Sequence, residues 1–413
     1  MSDPISPNAT GVYQTGSFSF DGSLGDASGL SIKWAYDVGC ASAGYLPRHG
    51  LFPGYTGAKE QFTAGDLDRL AERGFLAYAI SRRTNRDASA RQVYDFVDGI
   101  SEMAARFPGI VHPSICAATA YSGGGGDLLN LLCKFPGLIS YAACYFGLGD
   151  YGVDPVNGWW AFGSGVGSQA YLATDIGGSP AALPSAYAAR DVRPALASAL
   201  SLCGAGAERL YMYHSPADTA VSVETSRQTS ALLTEAGVAH TYTETADAAH
   251  GYPSDNGGIL QPLEWAYATA ALTTPAATLP TSGSCLVLGW IEMPNGIRLW
   301  LDDDSSTGNP RTNGTGGRNR VATLAYDTEA GTLRITPMWG AQRCYARING
   351  VEAEVYLDGN KATIVDDTGR VQRLDPDFGR PPWAPGPVAW GGPATMAMPV
   401  LWPIDTRPRT VIV

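Results

Sequence analysis

A chain of 413 residues has room for about two or three domains, and 45% hydrophobic with 16% charged residues is the make-up of a folded globular protein, not a disordered one. A formal net charge of −11 and a pI near 4.9 argue against nucleic-acid and anionic-membrane partners, both of which need clustered cations. Fifty glycines and 28 prolines favour turns and shaped loops over long helices.

Met1 to Asn8 hold neither a basic nor an apolar segment, so no signal peptide is expected. No run approaches the ~18 apolar residues of a membrane span. The default location is therefore the cytoplasm, with a virion-associated protein or export without a cleavable signal as the alternative. Two alternating runs, Gly16–Phe20 and Leu30–Tyr36, read as half-buried strands. Arg48–Gly57 reads as a short strand entering a turn. Ala64–Gly74 has leucines at helical spacing and a glycine stop, Phe75–Ser81 is a buried strand, and Gln92–Arg106 is an amphipathic helix. Ile115–Tyr121 is a run of small and apolar residues that ends in Ser122 and four glycines, and Asp127–Lys134 then takes a helical pattern. Leu138–Phe146 and Arg209–His214 are further strands, Val223–Ala236 a helix, and Ala239–Glu244 a last strand leading into a loop that ends at His250. Alternating strands and helices imply a parallel sheet covered on both faces.

The stretch Ala120-Tyr121-Ser122-Gly123-Gly124 is where a buried strand must turn sharply into a helix. The turn residue is strained, so its neighbours must lack bulk. The pattern resembles the G-x-S-x-G nucleophile elbow of the α/β-hydrolase superfamily, with alanine for the first glycine. Strand–Asp218, helix, strand–His250, following the serine, is the order in which that superfamily presents its acid and base. The resemblance is closest to prolyl-oligopeptidase-like and dienelactone-hydrolase-like members, and covers roughly residues 15–275. It implies an α/β-hydrolase fold, a mostly parallel sheet with helices on both faces, and a Ser122–His250–Asp218 triad. The oxyanion hole would use the backbone N–H of Gly123 and that of Tyr55, or of Leu51 if His49-Gly50 is aligned instead.

Triad chemistry needs all three members: imidazole takes the serine proton, and a carboxylate fixes its tautomer. Among the five histidines, His214 is the main competitor for the base, while His49, His112 and His240 read as structural. Asp150 and Asp247 compete with Asp218. Residues 147–206, rich in Gly, Pro and aromatics, read as a lid and pocket insertion; Trp159, Trp160 and Tyr121 are the candidate substrate contacts, with lid core as the alternative. Seven scattered cysteines lack metal spacing, and neither a metal nor a cofactor is expected.

Helix-like Leu263–Leu272 closes a catalytic domain at residues 1–275, and a Thr/Pro/Ala/Ser-rich linker follows at 276–284. Residues 285–413 read as an all-β module: short strands at Val287–Met293, Ile297–Leu301, Val321–Tyr326, Thr332–Ile335 and Val351–Leu357, separated by hairpin signals. Asp302–Asp304 lacks the spacing of a calcium loop, and the tail from Asp377 reads as extended chain packed over the sheets. The tryptophans of the module suit carbohydrate, core packing or an assembly contact equally.

The expected function is hydrolysis of a carboxylic ester through an acyl-enzyme, with the acyl or acetyl group carried on a carbohydrate or other polymer. A prolyl-oligopeptidase-type peptidase is the runner-up, and a non-catalytic virion, tail or carbohydrate-binding protein on a hydrolase scaffold is the reading from a different class.

Overall fold

The computed structural model describes residues 6–23, 29–55, 57–82, 90–188, 190–203, 209–246, 249–251, 279–293, 297–302, 321–327, 332–339, 343–348, 351–356, 361–365, 371–373 and 409–412. The expected helix at Leu263–Leu272, Asp247 and most of the tail after Asp377 lie outside the described residues.

An eight-stranded sheet organises the first part of the chain. Its strands are β1 (Tyr13–Phe20), β2 (Leu30–Asp37), β3 (Leu46–Phe52), β4 (Leu76–Ile80), β5 (Val111–Tyr121), β6 (Tyr141–Tyr145), β7 (Leu210–His214) and β8 (Thr241–Glu244), in the order β1-β2-β4-β3-β5-β6-β7-β8. β1 and β2 are antiparallel to their neighbours, and β4 through β8 run parallel. β5 is central, and its side chains alternate between two cores, as a strand's period of two requires. Cys116, Ala118 and Ala120 face one core, and Ala117 the other.

The helices are α1 (Val38–Ala43), α2 (Ala64–Ala71), α3 (Ala90–Arg106), α4 (Ser122–Lys134), α5 (Trp159–Phe162), α6 (Ser168–Ile176), α7 (Pro184–Ala188), α8 (Arg193–Leu202) and α9 (Val223–Glu235). The first core takes Val93, Phe96, Ile100 and Met103 from α3, Leu128 and Leu131 from α4, and Leu196 and Leu200 from α8. The second core gathers Leu67 and Leu70 of α2, which packs on β2 and β4, in one cluster with Tyr141, Tyr145, Tyr211 and Tyr213. Helix α2 opens on a capping box, Thr63 with Asp66, which satisfies the helix's first free N–H groups. Helix α8 falls within the stretch read as the insertion, residues 147–206, yet it is packed against α4 and α9 as part of the sheet's cover.

The β-rich region forms two sheets from the described strands, all paired antiparallel. One has the order β10 (Trp290–Glu292), β11 (Arg298–Asp302), β14 (Arg343–Ile348), β15 (Val351–Tyr356), β16 (Lys361–Val365), β17 (Val371–Arg373). The other is β18 (Arg409–Ile412), β13 (Thr332–Trp339), β12 (Val321–Asp327), β9 (Ser282–Leu288). The run expected as one strand, Val287–Met293, is split at Gly289, whose φ of +74° suits glycine and sends the chain from one sheet to the other. Strand β14 was not foreseen from its own composition; the Asn349-Gly350 dipeptide after it is the signal that could have found it.

The β-rich region is sealed onto the first core. Strand β9 begins at Ser282, inside the stretch read as linker, and runs along α8, where Ser198 Oγ accepts the Leu286 N–H at 2.8 Å. Trp290 stacks on Tyr94 of α3 (5.1 Å, 9°) and meets Phe135 edge-on. Lys134, the last residue of α4, is buried with its ammonium 5.5 Å from the Trp290 ring and bonded to Leu288 O. Burial pushes that ammonium down to about 8.

Cys40, Cys116, Cys133, Cys144, Cys203 and Cys285 are free and buried. Burial pushes the Cys133, Cys144 and Cys285 thiols up to about 12. Unfolded thiols lose their proton from about pH 8.5, so the folded state binds more protons above that pH. The stability these thiols contribute is complete below about 8.5 and is lost as pH rises towards their folded values. Lys134 acts in the opposite sense, one group against three. The urea midpoint is expected to fall between pH 8 and pH 10, and these six thiols should stay inert to a thiol reagent until the chain unfolds; an unchanged midpoint, or their labelling in the native state, contradicts the burial.

No helix among the described residues is long and apolar enough to cross a membrane, and no group of three or more His, Cys, Asp or Glu among them could hold a metal ion.

Candidate active site

Parallel strands present their carboxyl ends at one edge of the sheet, where α/β proteins place ligands. Ser122 follows β5, Asp218 the end of β7, His250 the loop after β8, and Tyr55 the end of β3. Chain connectivity alone brings all four loops to that edge.

Ser122 has φ +54°, the left-handed region that costs a residue with a Cβ of order 1–3 kcal/mol. The glycines after it explain how the strain is sustained. A methyl on Gly124 would meet Pro53 O at 2.2 Å, one on Gly125 the Gly147 Cα at 2.7 Å, and one on Gly126 the Tyr151 hydroxyl at 2.2 Å. Bare backbone is thus required for α4 to start directly beneath the β3 and β6 loops. Gly124→Ala is expected to cost about 1–3 kcal/mol of stability by overpacking and, because the obstacle is the backbone of the β3 loop, to lower kcat in whatever protein remains folded. Urea unfolding together with active-site titration checks both, and a fully active, equally stable variant contradicts the packing.

His250 Nε2 stands 3.0 Å from Ser122 Oγ, and His250 Nδ1 2.7 Å from Asp218 Oδ2. The imidazole is 28% exposed, open to a substrate from one side, while the Asp218 side chain is sealed. Asp218 Oδ1 accepts the backbone N–H groups of Ala220 (2.7 Å) and Val221 (3.0 Å). Burial alone would raise the Asp218 carboxyl; hydrogen bonds from His214, His250 and Val221 outweigh it and hold the group well below the usual carboxylate range. Asp218 therefore stays ionised at every pH where an imidazole can act as base. Its ionisation supports the fold above about pH 4, and that support is lost only as pH falls through the depressed folded value.

The rivals are spoken for elsewhere. Asp150 accepts the N–H groups of Gly152, Val153 and Asp154 and pairs with Arg193 Nη2 at 2.6 Å, which anchors the insertion. His49 is buried against Thr119, with burial pushing its imidazole down to about 3; His240 bonds Ser230 and Val238 O, and His112 accepts the Ser114 N–H. His214 places its ring against Ser226, Val221 O and Asp218.

The loop after β3 lies against the serine: a methyl on Gly54 would stand 3.3 Å from Ser122 Cβ. Gly57 N–H donates to Gly54 O at 2.8 Å. Across a trans peptide the C=O and the next N–H point in opposite directions, so the Tyr55 N–H is turned away from that tight turn. Leu51 lies inside β3, buried and in register with both Ala79 and Thr119, where its backbone belongs to the sheet. Gly123 is the residue immediately after the serine, in the first turn of α4.

The three expected substrate contacts separate. Trp159 is buried in the insertion's own core, 5.6 Å from the Tyr55 ring, the lid-core alternative named for it. Trp160 lines a cavity of about 600 Å³ with Gly152, Pro155, Pro180 and Pro184. The Tyr121 hydroxyl donates to Gln61 Oε1, which also accepts the Gly54 N–H at 3.1 Å.

Several residues at the site escaped sequence reasoning. Gln61 ties the residue before the serine to the β3 loop. Arg82, just past β4, forms a buried ion pair with Asp127 of α4 at 2.6 Å, donates its backbone N–H to Gly57 O, and stands over the Tyr55 ring. Phe146, with φ +37°, packs its ring 4.5 Å from that of His250. Only the position of Phe146 at a strand's carboxyl end could have drawn attention to it.

No protein-family model matches the chain, and no curated protein matches it. Solved structures do. A chain assigned as a dipeptidyl aminopeptidase IV from Bacteroides ovatus superposes with a TM-score of 0.50 at 13% identity, over 64% of this chain and 36% of that one. The uncomplexed acylaminoacyl peptidase of Pyrococcus horikoshii gives 0.50 at 14% identity, over 62% of this chain and 42% of its own. Esterase 2 of Thermogutta terrifontis gives 0.46 at 19% identity, over 61% and 92%. The chain thus spans well under half the length of the two peptidases. At these identities the likeness concerns the fold, and the chain has the α/β-hydrolase fold.

Proposed function

We propose that this protein is a serine hydrolase that cleaves carboxylic esters. The observation that carries the reading is the hydrogen-bonded line Ser122 Oγ, His250 Nε2, His250 Nδ1, Asp218 Oδ2, at 3.0 and 2.7 Å, headed by a serine in a strained turn. Ser122 Oγ attacks the ester carbonyl as His250 Nε2 takes its proton, and ionised Asp218 stabilises the imidazolium. The N–H groups of Gly123 and Tyr55 hold the oxyanion; losing one such donor typically costs ~10²–10³ in rate. His250 returns the proton to the departing alcohol, leaving an acyl-Ser122 ester. Water, deprotonated by the same imidazole, then releases the acid and restores the serine.

The substrate class in this reading is an acyl or acetyl ester of a carbohydrate or other polymer; the cavity beside Trp160 is lined by none of Ser122, Asp218 and His250. Peptide cleavage is a second reading, favoured by the peptidase names of two structures that share the fold. Hydrolysis of p-nitrophenyl acetate without hydrolysis of aminoacyl-arylamides is the expected pattern. Faster turnover of the arylamides would replace the esterase with a peptidase, and activity on neither would favour a non-catalytic scaffold.

A further inference from the structure

His214 ends β7, four residues before Asp218, and its imidazole is fully buried. Its Nε2 lies 3.1 Å from Val221 O and 3.3 Å from Asp218 Oδ2, and its Nδ1 lies 2.7 Å from Ser226 Oγ on α9. A carbonyl and an ionised carboxylate can only accept, so Nε2 carries the proton, and Nδ1 of the neutral ring accepts the Ser226 hydroxyl. Asp218 Oδ2 also faces His250 Nδ1. One carboxylate oxygen thus stands between two imidazoles, one open to the substrate side and one sealed.

We propose that His214 is a positioning residue of the triad, whose Nε2–H holds Asp218 Oδ2 in place and moderates its pull on His250. This rests on the triad reading above. Oδ1 is already held by the Ala220 and Val221 N–H groups; a contact on Oδ2 from a second direction stops the carboxylate turning about its last bond. A carboxylate that shares its charge among more donors offers less to each, so His214 lowers the stability of the His250 imidazolium. The remaining groups facing His214 come from the strands on either side of β7. The Phe146 ring stands edge-on at 6.4 Å, and Glu244, its register partner on β8, is occupied by Arg227 and Tyr242. Asp218 and Glu244 are the titratable groups that act on the imidazole among the described residues.

The test is the pH profile of p-nitrophenyl acetate hydrolysis. His214→Phe keeps a ring and removes its contacts with Asp218, Val221 O and Ser226. Its kcat is expected to fall about 10- to 100-fold with KM within about twofold, and the acid limb of kcat/KM is expected to move upward by about 0.5–1 in pH. His214→Gln restores an N–H near the position of Nε2 and should return both the rate and the limb most of the way. Should His214→Phe fail to fold, Ser226→Ala weakens the Nε2–H as a donor and should move the limb in the same direction by a smaller step. A limb that stays fixed in every folded variant, with rate loss that only follows a lower melting temperature, overturns the proposal. Retention of activity by Ser122→Ala would instead overturn the triad reading itself; a silent Ser122→Ala beside an unmoved limb removes the role of His214 alone.

Discussion

Ser122→Ala is expected to abolish turnover of p-nitrophenyl acetate, by about 10⁴- to 10⁶-fold in kcat, and to abolish labelling by a fluorophosphonate. The reason is geometric. Ser122 Oγ is the hydroxyl that meets His250 Nε2, and it does so from a left-handed backbone conformation, φ +54°. The members of such a triad act as one unit, so Ser122→Ala combined with His250→Ala should be scarcely slower than either alone. Asp218→Asn should cost about 10⁴-fold, because an amide cannot hold the correct imidazole tautomer. Stability should move differently from activity. Alanine keeps the Cβ and hence the strain at φ +54°, whereas Ser122→Gly relieves it and should stabilise the fold by about 0.5–1 kcal/mol. Fluorophosphonate attached at another residue, or undiminished turnover by Ser122→Ala, would move the site elsewhere.

Trp290→Ala is expected to destabilise the first core by about 3–5 kcal/mol, although Trp290 belongs to the β-rich region. Its ring is buried against Tyr94 and Phe135 and lies beside the Lys134 ammonium. Truncation leaves a cavity and removes the aromatic partner of a buried cation. Against a total stability of roughly 5–15 kcal/mol, this is enough to shift the whole transition. A chain ending before Ser282 should fare worse: it uncovers α8 where β9 packs, removes Leu288 O from Lys134, and exposes Tyr94 and Phe135 together. Aggregation or a strongly lowered urea midpoint is the expected outcome. A soluble truncated chain with the full chain's midpoint and the same rate on p-nitrophenyl acetate would show the contact to be dispensable. Lys134→Met provides a control: replacing a buried cation by an apolar side chain of similar length should cost little or stabilise.

The elbow and the alternating elements were readable because they are written in local chemistry. A strand ending in serine and four glycines leaves few alternatives, since the helix after it can start beneath Pro53 and Gly147 only without side chains. Periods of two and of 3.6 residues likewise announce β2 and α3 from neighbouring residues alone. The chain order of Asp218 and His250 was visible for the same reason, each closing a strand.

What linear order could not decide was which of two equivalent residues faces the serine. Asp150 and Asp218 both follow strands, and they separate because one accepts the backbone of the insertion while the other accepts an imidazole. His214 and His250 both touch Asp218, and their roles divide by burial, a property of the packed molecule. Leu51 and Tyr55 part at the end of β3, where sheet pairing stops. Trp159 and Trp160, adjacent in sequence, point one into a core and one into a cavity. Sequence by itself determined the strand–serine–glycine turn, the repeating layers and the candidates, because steric fit and periodicity act between near neighbours. Tertiary structure alone decided the partners, the packing of α8 and the docking of Trp290, because those depend on distances between residues remote in the chain.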